Sequence, residues 1–170
     1  MYHASLFTFM DYSIKIGGEA GQGIQTVGDT LAKVFSRTGF HVFTNQDYES
    51  RVRGGHNFYQ IRFSDKPIMA SREKVDILVA LDKESMERHG NELSVIGQII
   101  YDSTAIRIPT PNSQSHAANY LDIPFIKLAV ENGGSKIMAN TVATGAVLGI
   151  LGMDMDILIA IIKDTFKKKG

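Results

Sequence analysis

The sequence has no cysteine and no tryptophan among its 170 residues, only four prolines, and no surplus of either charge, with 18 basic and 18 acidic side chains. Each shortage excludes something. Without a thiol there are no disulfides, no thiolate-held zinc, no iron–sulfur cluster and no cysteine nucleophile on this chain. A formal net charge of zero argues against a nucleic-acid binder, which ordinarily carries a basic surplus. Long hydrophobic runs are missing too. The nearest, residues 137–155, is broken by Asn140, Thr141 and Thr144 and closed by Asp154 and Asp156. It falls short of the roughly 20 clean apolar residues a membrane span needs and reads as a buried helix. Residues 1–10, MYHASLFTFM, have neither the basic start nor the cleavage pattern of a signal peptide. We read them as a poorly ordered N-terminal extension, with an extra edge strand as the alternative and Met10 as a second start. The chain is placed in the cytoplasm, with no membrane contact.

What is present suits one domain, with 44% hydrophobic and 21% charged residues. Residues 12–16 predict a strand stopped by Gly17-Gly18. A glycine-rich stretch follows to Gly23, and then Ile24, Val27, Leu31, Val34 and Phe35 recur at helical spacing, with Gly39 as the stop. Residues 41–44 read as a second strand. A β–glycine loop–α–β order favours a neighbouring parallel pair with a right-handed crossover. Residues 57–63 alternate, with Phe58, Gln60 and Arg62 on one face, and predict a half-buried strand turning at 64–67. Residues 75–81 form a buried strand, 83–93 a helix and 95–101 a further strand. A loop around Pro109 and Pro111 precedes a short strand at 123–126. From Ser135 two helices follow, the second capped by Asp154, the first carrying Gly145 and Gly149 on one face for close packing. The fold class is α/β: a single layered domain with a mixed, mostly parallel sheet and a C-terminal helical pair, because the Phe58 strand breaks the βαβ alternation.

Two loops carry the candidate chemistry. Gly18-x-x-Gly21-Gln22-Gly23 leads into a helix whose unpaired N–H groups suit an anion; the bland reading is a strand-to-helix turn. The spacing is neither the dinucleotide fingerprint nor a Lys-Ser/Thr phosphate loop, and Glu19 repels phosphate. Asp47, just past the second strand, leaves a ribose contact open. Arg51 and Arg53, with Gly54-Gly55, follow that strand at the edge where open α/β sheets collect ligands; here the bland reading is a turn with an Arg paired to Glu49. Gly18, Gly21, Gln22, Gly23, Arg51, Arg53, Gly54 and Gly55 are therefore the candidate cofactor-binding residues. No catalytic residue is assigned. His41, His56, His89 and His116 show no metal spacing, so no metal ligand is assigned either.

Taken in order, residues 17–24 (Gly-Gly-Glu-Ala-Gly-Gln-Gly-Ile), Tyr48 with Arg53-Gly54-Gly55-His56-Asn57-x-Tyr59-Gln60-Ile61-Arg62, Ser64-Asp65, residues 76–81 and Asn140-Thr141 with Gly145 resemble the gamma subunit or domain of 2-oxoacid:ferredoxin oxidoreductases. Residues 57–60 and 18–19 look closest to gamma domains of 2-oxoglutarate-type enzymes, while Arg51 departs from the apolar residue commoner there. The resemblance implies that residues 11–170 are a gamma-type domain. It implies an enzyme that oxidatively decarboxylates a 2-oxoacid, pyruvate or 2-oxoglutarate among them, forms an acyl-coenzyme A and reduces ferredoxin. Thiamine diphosphate with magnesium and the iron–sulfur clusters are then expected on alpha, beta and ferredoxin-like delta partners. This chain would bind no cofactor alone, with coenzyme A left open as a ligand and a homodimer left open for the isolated chain. A stand-alone nucleotide-binding α/β protein is the alternative.

Overall fold

The computed structural model describes residues 10–48, 55–107 and 119–167. β1 (Asp11–Glu19) leads into α1 (Ile24–Arg37) and β2 (His41–Tyr48). β3 (His56–Ser64), β4 (Val75–Ala80), α2 (Lys83–His89) and a 3₁₀ turn (Gly90–Glu92) come next. The chain continues through β5 (Leu93–Tyr101), β6 (Asn119–Asp122), α3 (Phe125–Gly133), α4 (Ala139–Ile150) and α5 (Asp156–Lys167). One six-stranded sheet runs β2-β3-β1-β4-β5-β6. β3 is antiparallel to both neighbours, and β1, β4, β5 and β6 pair in parallel. The mixed, mostly parallel sheet and the C-terminal helical pair are as the sequence predicts.

The expected β1–β2 neighbours are not neighbours, because β3 lies between them. Its Tyr59, Ile61 and Phe63 register against Ile16, Ile14 and Tyr12 on one side and Gln46, Thr44 and Val42 on the other. Nor is β3 half-buried: Gln60 is 5% exposed, donating to Ser13 Oγ (3.0 Å) and to the Arg72 carbonyl (2.7 Å). The segment between β3 and β4 therefore covers that face. It is tied down by Asp11, which accepts from Arg62 Nε (2.9 Å) and Nη2 (2.8 Å), and by Arg72, which pairs with Asp76 and donates to the Asp11 carbonyl (3.1 Å).

β1 also runs through the expected stop at Gly17-Gly18. A Cβ at Gly17 would lie 2.7 Å from Ser85 Oγ, so the missing side chain lets α2 close on the strand rather than ending it. The predicted strand at 123–126 is instead β6, slightly earlier, followed by the first turn of α3. Asp102, at the end of β5, accepts from the Ile126 amide (3.1 Å), satisfying one of the donors a helix start leaves open.

Helices pack on both faces. α1, α4 and α5 share the larger core with Ile14, Ile16, Tyr59, Ile61, Phe63, Ile77 and Val79. On the other face Leu78, Ala80, Ile99 and Ile106 meet Met86 of α2. α1 ends as its sequence predicts: Gly39, at φ +95°, reverses the chain, and the Phe40 amide reaches back to the Phe35 carbonyl (3.1 Å). That reversal brings Phe40 edge-on to Phe63, onto which Phe35 stacks. The membrane-like run is α4, 12 residues long. No helix among the described residues is long and apolar enough to cross a membrane.

Candidate functional site

The carboxyl ends of β1, β4 and β5 open onto one crevice, the place where open α/β sheets take ligands. β1 ends at Glu19, whose amide donates to the Gln22 side-chain oxygen (2.7 Å) while its carbonyl accepts the Gln22 amide (3.1 Å). This two-way bond makes the turn compact. Gly21 (φ +92°) and Gly23 (φ +85°) supply the left-handed backbone it needs. Gly23 also occupies the N-cap of α1 without a side chain to cap it.

The reason for glycine at 23 is steric as well. A Cβ there would lie 1.9 Å from Asn140 Nδ2, so the first turn of α4 sits directly against the start of α1. Beside that contact, toward the ends of β4 and β5, lies a cavity of about 260 Å³. Gly21, Gln22, Asn140 and Lys136 give it polar walls; Leu81, Ile106, Phe125 and Ile137 give it apolar ones. Its floor is pinned by Asp102, which also takes the Thr104 amide (2.9 Å). Nearby, Asp122 accepts from the Ser103 amide (2.9 Å), and hydrogen bonds from Ser103 hold its carboxyl below the usual range.

Of the predicted site residues, the structure brings Gly18, Gly21, Gln22 and Gly23 together here. A Cβ on Gly18 would meet the Gln22 side-chain oxygen at 2.6 Å. Gly55 is buried at the head of β3, at the same sheet edge, since its neighbour His56 pairs with Glu19. Arg51, Arg53 and Gly54 lie outside the described residues. β1 and β2 end at the same edge without being adjacent, and β3, which Gly55 precedes, lies next to β1. Asp47, inside β2, is two strand spacings, about 10 Å, from β1. That separation removes the ribose contact of a dinucleotide fold, in which the first two strands are neighbours.

Sequence reasoning missed Lys136, Asp102, Ile106 and Phe125, and gave Asn140 no place in the site. An Asn opening a glycine-containing helix, and an Asp directly after a buried strand, were the available signals. It also missed that His56 and His89, read as lone, meet at 2.8 Å between their Nε2 atoms.

The fold is thus a mixed α/β sheet covered by helices on both faces, with a cavity at the carboxyl edge of its parallel strands. A family model described as pyruvate ferredoxin/flavodoxin oxidoreductase matches residues 13–170, and the chain belongs to that family. It is 27% identical over 159 residues to 2-oxoglutarate synthase subunit KorC of Archaeoglobus fulgidus, covering 93% of this chain and 80% of that one. The alpha subunit of a Sulfolobus 2-oxoacid:ferredoxin oxidoreductase is 34% identical over 80 residues, which make up 47% of this chain but 13% of the relative. Among solved structures, a 2-oxoglutarate:ferredoxin oxidoreductase from Magnetococcus marinus, with 2-oxoglutarate, coenzyme A and succinyl-CoA bound, superposes with a TM-score of 0.82 at 27% identity. It covers 94% of this chain and 28% of that one. A keto/oxoacid ferredoxin oxidoreductase gamma subunit from Geobacter sulfurreducens gives 0.71 at 26% identity, over 86% of this chain and 82% of that one. The homologues are thus subunits of 2-oxoacid:ferredoxin oxidoreductases, in which this domain is either most of a chain or a fraction of a longer one.

Proposed function

We propose that residues 11–170 form the gamma-type component of a 2-oxoacid:ferredoxin oxidoreductase, and that the edge cavity takes one end of coenzyme A. The family match over residues 13–170 carries the first part. The cavity's size supports the second: about 260 Å³ is below the roughly 300–1,000 Å³ of a pocket that encloses a whole drug-sized ligand. It can seat part of an elongated molecule, and a partner chain has to close over the rest. Ile137, 78% exposed on the cavity rim, is an apolar surface such a partner would cover.

The division of labour follows from side-chain chemistry. With no cysteine, the chain has no ligand set for an iron–sulfur cluster. Alpha, beta and delta-type partners would supply the clusters and the thiamine diphosphate with magnesium on which the 2-oxoacid loses carbon dioxide. The residues here would orient and neutralise: Lys136 offers a cation to an anionic group, Gln22 and Asn140 offer carboxamides, and Arg53 is proposed as a second cation. A dinucleotide function is disfavoured by the strand order.

The isolated chain is expected to show no turnover with 2-oxoacids, coenzyme A, thiamine diphosphate and a viologen acceptor; turnover above background without partners would overturn the assignment. In the assembled enzyme, Arg53→Ala is expected to raise the apparent KM for coenzyme A about ten- to a hundredfold, the loss of one charge-assisted hydrogen bond. An unchanged KM would return Arg53 to the bland role of holding its own turn.

A further inference from the structure

The second face of the sheet holds a chain of four ionisable side chains that the proposed function does not use. Lys15 of β1, 5% exposed, pairs with Glu92 at the end of the 3₁₀ turn, and its ammonium lies 4.4 Å from the centre of the Phe58 ring. The other Glu92 oxygen is 2.8 Å from His89 Nδ1. His89 Nε2 is in turn 2.8 Å from His56 Nε2, with both rings buried. The chain so formed joins the end of α2 to the head of β3.

Its protons are fixed by donor and acceptor chemistry. An ionised carboxylate only accepts, so His89 Nδ1 donates to Glu92. A neutral His89 then accepts at Nε2, and His56 must present Nε2–H. One ammonium, one carboxylate and two neutral rings leave the cluster uncharged. A first added proton places a net positive charge on a cluster whose two rings and ammonium are buried. A second makes both Nε2 atoms donors and leaves no acceptor between the rings.

Among the described residues, most other charged groups around it are already engaged. Arg72, from the segment before β4, holds Asp76 and Asp11, Lys74 donates to the Asn91 carbonyl (3.2 Å), and on α2 Arg88 pairs with Glu84 and Lys83 with Glu87. Glu19, opposite His56 on β1, is exposed.

We propose that Lys15–Glu92–His89–His56 is a pH-sensitive latch, fastening α2 and its 3₁₀ extension to the head of β3 at neutral pH and releasing them on acidification. Burial pushes the His89 ring below its usual value, and the nearby Lys15 charge adds to this, against the pull of Glu92. Burial acts upward on Glu92, yet Lys15 and His89 hold it below the ordinary carboxylate value, so it stays ionised throughout. A ring with a lowered value stabilises the closed form fully above the ordinary histidine value of about 6.5, and that contribution is lost as pH falls toward the lowered one.

Amide exchange of residues 83–92 in the full chain, corrected for intrinsic rates, tests this. Exchange should run about tenfold faster near pH 5.5 than near pH 7.5, with β1 and β4 unchanged. In His89→Gln the pH dependence should vanish while the thermal transition persists. Flat exchange in the parent chain overturns the latch, and so does a pH dependence that survives in the variant. If His89→Gln does not fold, His56→Gln takes its place with the same two outcomes. Because the readout needs neither coenzyme A nor partners, its failure leaves the proposed function untouched, and the reverse also holds.

Discussion

Gly28→Ala is expected to destabilise the domain by about 2 kcal/mol, although alanine is the better helix former by roughly 1 kcal/mol. Gly28 lies in the middle of α1, directly over the Tyr59 ring, and a Cβ there would come 2.5 Å from Tyr59 Cγ. That atom is the root of the ring, not its tip, so relief requires moving β3 or the helix. Both are held: Ile61 and Phe63 of the same strand are fully buried, and the Tyr59 hydroxyl donates to Asp29 (3.0 Å) one residue along α1. Overpacking costs about 1–3 kcal/mol and the strained hydrogen bond about one more, which outweighs the helix gain. The melting temperature should fall by roughly 4–8 °C. Combining it with Tyr59→Leu should cost less than the two single changes added together, because the second change removes the obstacle. A Gly28→Ala chain as stable as its parent would mean that α1 and β3 are not packed this closely.

Asp11→Asn should cost about 1–3 kcal/mol at neutral pH, because two arginines depend on one carboxylate. Arg62 grips it with two nitrogens and Arg72 approaches it at 3.8 Å, so the amide leaves two partly buried guanidiniums short of a partner. The hydrogen bonds from Arg62, reinforced by both positive charges, hold the Asp11 carboxyl below its usual value against the opposing effect of burial. A lowered carboxyl contributes its stability above the unfolded value near 3.9, and loses it as pH falls through the folded one. Urea midpoints of parent and variant should therefore differ by a constant amount between about pH 5 and 7 and converge only below about pH 4. Equal midpoints at pH 7 would remove Asp11 from the list of groups that pin the β3–β4 segment.

Much of this was legible from local pattern. The alternation of residues 57–63 and the β-branched run at 75–81 are strands in the structure, and the Ile24–Phe35 periodicity is α1, because burial on one or both faces writes itself into neighbouring residues. The strand order was not legible. A glycine loop followed by a helix suits parallel neighbours equally well, and the contacts that place β3 between β1 and β2, Tyr59 over Gly28 among them, join residues distant in sequence. The half of the site formed by the glycine turn was visible for the same local reason. Asn140 and Lys136 reach it from a helix near the other end of the chain, and no spacing rule joins Gly23 to Asn140. The histidine pair was hidden similarly: His56 and His89 stand on a strand and a helix whose contact exists only once Gly17 has let α2 settle on β1.

The insertion of β3 also sets how far apart in sequence the paired strands lie. β2 and β3 pair from nearby sequence, whereas β1 and β3 pair across roughly forty residues that include α1, so the second pairing closes the larger loop. Direct pairing of β1 with β2 is a competing arrangement that uses the same right-handed crossover and the same helix. It would leave Tyr59, Ile61 and Phe63 without a partner strand on one side. The Gly28 notch matches the native order, since it is cut to the ring of Tyr59 on the strand that lies between β1 and β2.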